Sequence, residues 1–329
     1  MKRILGIGNA LVDIMTPIDN DKILEYLSLP KGSMQLVDDE RSAKIQKETS
    51  RFESTRRSGG SAANTIHGLA MLGAETGFIG SIGRDETGDL FESDMREAGV
   101  ETMLFRRITE TGIAKAFISP DTQRTFATHL GAAVELEADD IKPDFFRNYN
   151  ILYLEGYLTN DHQLVQKVCS IAKENRMEIA LDLASFNVVE ANIKIFREII
   201  DNYTDIIFGN EDEATSLTGL APMEALEEIG KKCRITVIKT GEKGSLIKRG
   251  EEIIRIGSLP VNCKDTTGAG DLYASGFLYG YAHGLSLEKC GLLSALLAGR
   301  VIETIGARID KDRWPEIKKE VSAIFRKKD

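Results

Sequence analysis
The chain has 329 residues, 42% hydrophobic and 28% charged, with a formal net charge of -9. That is the composition of a soluble globule with enough core for one large α/β domain or two smaller ones. The acidic balance, with no dense Lys/Arg cluster, argues against a nucleic-acid surface, and no apolar stretch approaches the ~20 residues of a membrane helix.

The N-terminal "MKRILGIGNALVDIM" has the opening of a signal peptide, but Asn9 and Asp13 interrupt its apolar run. "RILGIGN" therefore reads as a first strand buried on both faces, closed at its C-terminal end by Asp13 in "GNALVD". Cys169, Cys233, Cys263 and Cys290 are far apart and form no CxxC pair, which predicts reduced thiols in a cytoplasmic setting. "SMQLVD" alternates like a short exposed strand. "SAANTIHGLAMLG" has helical spacing and a stop at Gly73, "TGFIGSIG" is a buried strand, and "TGDLFESDMREAG" is a second helix. "MLFRRI" and "GIAKAFIS" read as a hairpin or neighbouring strands.

From "ILYLEG" onward, strands alternate with helices up to "ITVIKTG", which predicts a parallel sheet with ligands at its C-terminal edge. "GSLIKRGEEIIRIGSL" resembles an edge meander, and the last third is mostly helical. With no repeat or linker, one α/β domain over 1–329 is expected. Segments near 15–38 and 103–119 would form a small accessory layer.

Four stretches carry candidate chemistry. In "DTTGAGD", Gly268, Ala269 and Gly270 allow a tight turn whose N–H groups converge at a helix start, an anion site. Asp271 then stands beside the anion, either to take a proton from an attacking hydroxyl or simply to cap the helix. In "RSGGSAAN", Gly60 brings backbone close to a ligand, with Ser61 and Asn64 placed for hydroxyl groups; Ser61 as an N-cap is the simpler alternative. "GNEDEA" offers Asn210 and Glu213 to magnesium, or to the start of the following helix. "KTGEKGS" offers Thr240, Gly241 and Gly244 to a nucleotide, or to a hairpin turn. No Walker loop occurs, and Leu11 stands where a dinucleotide fingerprint needs its third glycine. The four histidines form no metal pattern, and Tyr273, Phe277 and Tyr279 read as core.

In order and company, "RSGGSAANTIHGLAMLG", "GFIGSIGRDETG", "NEDE", "KTGEKG" and "DTTGAGDLYASGFLYG" resemble the ribokinase-like carbohydrate kinase family, the PfkB family. "GNALVDI", "GGSAAN" and "TFATHLGAA" look most like its adenosine-kinase and ribokinase branch. The resemblance implies a three-layer α/β/α sandwich with a mostly parallel central sheet and a small β-sheet lid. It implies ATP and Mg2+, Asp271 as general base, and Gly268, Ala269 and Gly270 as the anion hole. Asp13, Gly60, Ser61 and Asn64 would hold sugar hydroxyls. Asn210 and Glu213 would organise magnesium through water, and Thr240, Gly241 and Gly244 would lie near the nucleotide. Asp265 and Thr267 match a monovalent-cation (K+) site, with "IGAR" around Ala307 a partial match; Arg308 and Ile309 depart from the small polar residues often seen next. The expected partner is a small sugar or nucleoside, with adenosine ahead of ribose, fructose or 2-keto-3-deoxygluconate. Phe186 is a candidate purine platform, and two lids exposing an apolar face would pair as a homodimer.

Overall fold
The computed structural model describes residues 1–121 and 123–327. Along the chain run β1 (Ile4–Ile7), β2 (Leu11–Pro17), β3 (Met34–Leu36), β4 (Thr55–Gly59), β5 (Thr76–Gly83), β6 (Val100–Arg107) and β7 (Thr111–Ile118). They are followed by β8 (Arg124–Gly131), β9 (Ile151–Glu155), β10 (Glu178–Asp182), β11 (Ile206–Asn210), β12 (Ile235–Lys239), β13 (Ser245–Arg249) and β14 (Glu252–Ile256). Nine of these form one sheet in the order β14-β13-β12-β11-β10-β9-β1-β5-β6. It is parallel from β12 to β6, and β13 and β14 add an antiparallel meander at one edge.

Alternate side chains of the central strands go to opposite faces, and both are apolar. Leu5 and Ile7 of β1 join Leu152 and Leu154 of β9 in a core under helices His162–Glu174 and Ile193–Asn202. Ile4, Ile151 and Tyr153 join the opposite core with Ala62, Ile66, Phe277 and Leu278, from helices Ser61–Leu72 and Ala269–Ala282. Phe277 meets Phe208 of β11 edge to face at 5.4 Å. Fully burying such a ring stabilises by roughly 1.5–3 kcal/mol. Helices on both faces of a mostly parallel sheet make the α/β/α sandwich expected from the alternating pattern.

The second sheet has the order β3-β8-β7-β2-β4. Its period-2 alternation divides its residues cleanly. Phe117 and Ala127 face a satellite core with Leu24, Leu27 and Ile45, whereas Ala114, Phe126, Thr128 and Leu130 face a cleft. With one face packed and the other on the cleft, the exposed apolar face expected to support a dimer is not found among the described residues. Met34 and Leu36 remain exposed on the short edge strand β3.

Three segment readings are corrected. "GNALVD" is not the end of one strand: β1 stops at Ile7, and Asp13 lies in β2, paired with β4 and β7. "MLFRRI" and "GIAKAFIS" are not a hairpin, because β6 pairs with β5 in the large sheet while β7 belongs to the small one. Asp85 pins the turn between them, its carboxylate accepting from the Thr111 N–H and hydroxyl at 2.7 Å each. Residues 103–107 thus stand outside the small sheet, which draws instead on β4 and β8. Alternation is the same at the edge of either sheet, so sequence alone does not say which sheet a strand joins.

Candidate functional site
The parallel strands β1, β9, β10, β11 and β12 end together, and the small sheet faces them across a cleft of about 1120 Å³. After β1 the chain first builds outward to β5 and β6, then returns to β9 on the other side. The crevice where a sheet changes winding direction is where open α/β sheets take ligands. The volume exceeds the usual range for one drug-sized ligand, and so has room for two reactants side by side.

Two glycine turns meet on its floor. Gly60, at φ 95°, is the N-cap of helix Ser61–Leu72, and a Cβ there would stand 2.1 Å from the Asn9 carbonyl oxygen. Gly268, at φ 76°, opens helix Ala269–Ala282 and packs against Ala307. The Ala269 N–H donates to the Thr266 carbonyl at 3.1 Å. The N–H groups of Gly268, Gly270 and Asp271 have no backbone acceptor among the described residues. These are the orphan donors of a helix start, and all three residues line the cleft. Of the three residues expected to form an anion cradle, Ala269 spends its donor on closing the turn, while Gly268 and Gly270 keep theirs free of backbone acceptors.

Asp271 makes no capping hydrogen bond. Its Oδ1 accepts from the Ser61 hydroxyl at 2.8 Å and its Oδ2 from Asn64 Nδ2 at 2.9 Å. Both donors come from the other glycine turn. Ser61 accordingly does not cap its helix; it orients the carboxylate. Asn64 in turn accepts at Oδ1 from Arg308 Nε, 2.9 Å away, which fixes the amide with nitrogen toward Asp271. Arg308 is 4% exposed and also donates to Ser58 Oγ at 2.7 Å.

Burial sets the charges. It pushes the Asp271 carboxyl up to about 6, held back by the bonds from Asn64 and Ser61. It pushes Asp13 to about 7, held back by Arg308 and raised further by Asp271. Glu155 also rises to about 7 through burial, against donors from Ala62 and Asn9. Glu155 ends β9 and ties the site together: Oε1 accepts from Asn9 Nδ2 at 2.9 Å and Oε2 from the Ala62 N–H at 2.8 Å. Burial would lower Lys239, but Asp182, Glu213 and Asp271 together outweigh it, so this ammonium stays firmly charged. Its Nζ lies 3.4 Å from Asp182 Oδ2 and beside Gly270 of the cradle.

Asn210 and Glu213 form a reciprocal cap. Asn210 Oδ1 accepts from the Glu213 N–H at 2.9 Å, while the Glu213 carboxylate accepts from the Asn210 N–H and Nδ2 at 2.8 Å each. Both line the cleft. Burial raises the Glu213 pKa. No cluster of three His, Cys, Asp or Glu able to hold a metal occurs among the described residues. These donors fit magnesium arriving on nucleotide phosphates with its own waters, the usual habit of that ion.

Thirteen of the fifteen expected site residues line this one cleft; Asp265 and Thr240 do not. Thr240 closes the turn after β12, its N–H donating to the Gly244 carbonyl at 2.8 Å, while Gly241 and Gly244 face the cleft. Phe186 is 44% exposed and outside the cleft; its helix turns Asn187 and Val188 inward instead. The apolar wall comes from Leu36, Phe126, Leu130, Val134 and Leu136. Sequence reading missed Glu155, Asp182, Lys239 and Arg308. Lys239 and Glu155 shared one signal, a charged residue closing an otherwise apolar strand.

Among the described residues, no helix is long and apolar enough to cross a membrane. Residues 33–314 match the model of the pfkB family carbohydrate kinases. An uncharacterized sugar kinase from Archaeoglobus fulgidus is 30% identical over 247 residues, 73% of this chain and 96% of the relative. Among solved structures, the probable sugar kinase of Rhizobium etli CFN 42 superposes with a TM-score of 0.88 at 34% identity, covering 98% of this chain and 99% of the other. The adenosine kinase of Sinorhizobium meliloti superposes with a TM-score of 0.84 at 35% identity, covering 93% and 95%. The chain is a member of the pfkB family of carbohydrate kinases.

Proposed function
We propose that the chain transfers the terminal phosphoryl group of ATP to a primary hydroxyl of a ribonucleoside or sugar. The observation that carries this reading is the placement of Asp271. A carboxylate set in the first turn behind an N–H cradle, unused as a cap and aimed by Ser61 and Asn64, has the geometry of a base for a hydroxyl attacking an anion. A module that only bound its ligand would gain nothing from a carboxylate there.

Asp271 takes the hydroxyl proton, and the N–H groups of Gly268 and Gly270, with Lys239 beside them, face the charge of the transferring group. Magnesium, when bound with ATP, neutralises phosphate charge, and Asn210 and Glu213 are the groups beside its waters. Gly241 and Gly244 lie along the nucleotide. Asp13, Gly60, Ser61 and Asn64 hold acceptor hydroxyls at the other end. The small sheet covers the cleft as a lid over 1–329 as one domain, excluding water that would otherwise take the phosphoryl group.

The apolar wall of Leu36, Phe126, Leu130 and Leu136 opposite these polar groups favours a nucleoside such as adenosine. The charged end around Asp13 and Arg308 supports the second reading, a sugar such as ribose, fructose or 2-keto-3-deoxygluconate. The four free cysteines and the ATP requirement support a cytoplasmic setting. Pairing of two copies belongs to the same proposal, through the exposed Met34 and Leu36 of the edge strand β3 rather than an apolar sheet face, and sedimentation velocity tests it. An ATP-consumption screen over nucleosides, pentoses, hexoses and keto-deoxy acids, with the product identified by mass, tests the reaction. Adenosine phosphorylated without sugar turnover selects the first reading, the reverse selects the second, and no ATP-dependent product from any class removes both.

A further inference from the structure
Asp265 and Thr267 were expected to hold a monovalent cation, and their surroundings do not fit one. Arg124, at the start of β8 in the small sheet, reaches across so that its guanidinium pairs with Asp265 Oδ1 and donates to Thr267 Oγ1 at 2.9 Å. The pair is sealed from solvent, with side-chain exposures of 7% for Arg124 and 4% for Asp265.

Counting lone pairs decides the matter. Asp265 Oδ1 accepts from the Thr267 N–H at 2.9 Å and the Thr267 hydroxyl at 2.8 Å, as well as from Arg124. Its Oδ2 accepts from the Gly306 N–H at 2.6 Å. Three of these donors crowd onto Oδ1 and one sits on Oδ2, so Oδ1 has no acceptor position left to offer. The Thr267 hydroxyl spends its hydrogen on Asp265 and accepts from Arg124. The nearby Ile302 carbonyl is shared by two N–H groups, those of Lys264 at 2.7 Å and Asp265 at 3.2 Å. A potassium ion binds through oxygen lone pairs, and Asp265 Oδ1 and the Ile302 carbonyl are already committed. It would also be placed against a fixed positive charge.

We propose that the Arg124 guanidinium is the chain's built-in substitute for a monovalent cation, holding the turn Asp265–Gly268 in shape behind the phosphate cradle, so that the protein needs no potassium. A guanidinium suits this role because it stays charged at every working pH and presents several donors in one rigid plane. Arg124 is a positioning residue in this scheme: it acts through Asp265 and Thr267 on the orientation of the Gly268 and Gly270 N–H groups. Because it comes from β8, the same pair fastens the small sheet to the phosphate turn.

The turnover arm of the test rests on the kinase reading above; the thermal arm does not. Wild type and Arg124→Ala are compared in KCl, NaCl and tetramethylammonium chloride at equal ionic strength, by thermal unfolding and by kinase turnover. The wild type should show the same unfolding midpoint and turnover, within about twofold, in all three salts. Arg124→Ala should lose about tenfold or more in turnover in tetramethylammonium, and low-millimolar guanidinium or potassium should restore part of it and raise its unfolding midpoint. A purely structural role would not answer to the identity of the added cation. Selective stabilisation or activation of the wild type by potassium overturns the proposal, as does an Arg124→Ala protein indifferent to every cation in both measurements. Should Arg124→Ala fail to fold, the wild-type salt series alone decides, with potassium dependence the contradicting result. If no acceptor is phosphorylated, the unfolding midpoints still decide it.

Discussion
Asn64 and Asp271 stand 207 positions apart in sequence and meet at 2.9 Å, amide nitrogen to carboxylate oxygen. The contact joins the two glycine turns, and Arg308 holds its geometry by donating to the Asn64 oxygen. An asparagine amide can be turned either way, and only one way gives Asp271 a donor rather than a second acceptor. Arg308 therefore acts on the base at one remove.

Arg308→Met should lower kcat by about tenfold, because Asn64 loses the donor that sets its amide. Asp13 loses its counter-charge at the same time, so the acid limb of the pH–rate profile should move upward. Arg308→Lys keeps the charge but not the Nε donor. It should leave the acid limb near its original place while turnover stays depressed. Steady-state kinetics from pH 5 to 8.5 separate the two effects, and matching limbs in Met and Lys variants would argue against this assignment.

The wild-type profile itself should fall on the acid side. A base works only as its carboxylate, so kcat should decline as pH drops through about 6, where Asp271 protonates. Acceptor affinity should begin to weaken nearer pH 7, where Asp13 protonates. Flat kinetics between pH 5 and 8 would contradict both roles.

Stability of the ligand-free protein should run the other way. Asp13, Glu155 and Asp271 have folded-state pKa values of about 7, 7 and 6, above their ordinary values of 3.8, 4.5 and 3.8. Between these limits the folded state binds more protons than the unfolded one, so their contribution to stability falls as pH rises. Lowering the pH from about 8 to about 5 should thus raise the urea midpoint of the ligand-free protein. Asp271→Asn should flatten the part due to that residue and raise stability at pH 8 by on the order of 1 kcal/mol. Its amide can accept from one neighbour while the Ser61 hydroxyl rotates to accept in turn.

Gly268→Ala should be among the most damaging single changes in the cleft. The position is at φ 76°, and the new Cβ would stand 2.6 Å from the Ala307 Cα. Left-handed strain on a non-glycine residue costs on the order of 1–3 kcal/mol, and relief would move the cradle N–H groups. The variant should unfold earlier and lose turnover even where it remains folded. Normal activity in a folded Gly268→Ala protein would remove the cradle from the account.

Much of the large sheet was legible because buried parallel strands announce themselves as short apolar runs between helical periods. "ILYLE", "EIALD", "IIFGN" and "ITVIK" each proved to be a strand, and each ends in a polar residue at the cleft. The small sheet was harder to read. "TRRSG" of β4 is charged and half exposed, and β6 alternates just as β7 does although it joins the other sheet. The glycine turns were visible because their backbone demands glycine. Arg124 and Arg308 were not, since a charged residue shows its importance only when folding buries it against partners more than a hundred positions away.

The most direct test is the turnover of wild type and Asp271→Asn, side by side, on the acceptor selected by the ATP screen. Asp271→Asn should fold and bind that acceptor with little change, while kcat falls by at least ~100-fold, roughly 2.7 kcal/mol of transition-state stabilisation. Turnover within a few-fold of wild type in a folded Asp271→Asn protein would show that Asp271 is not the base.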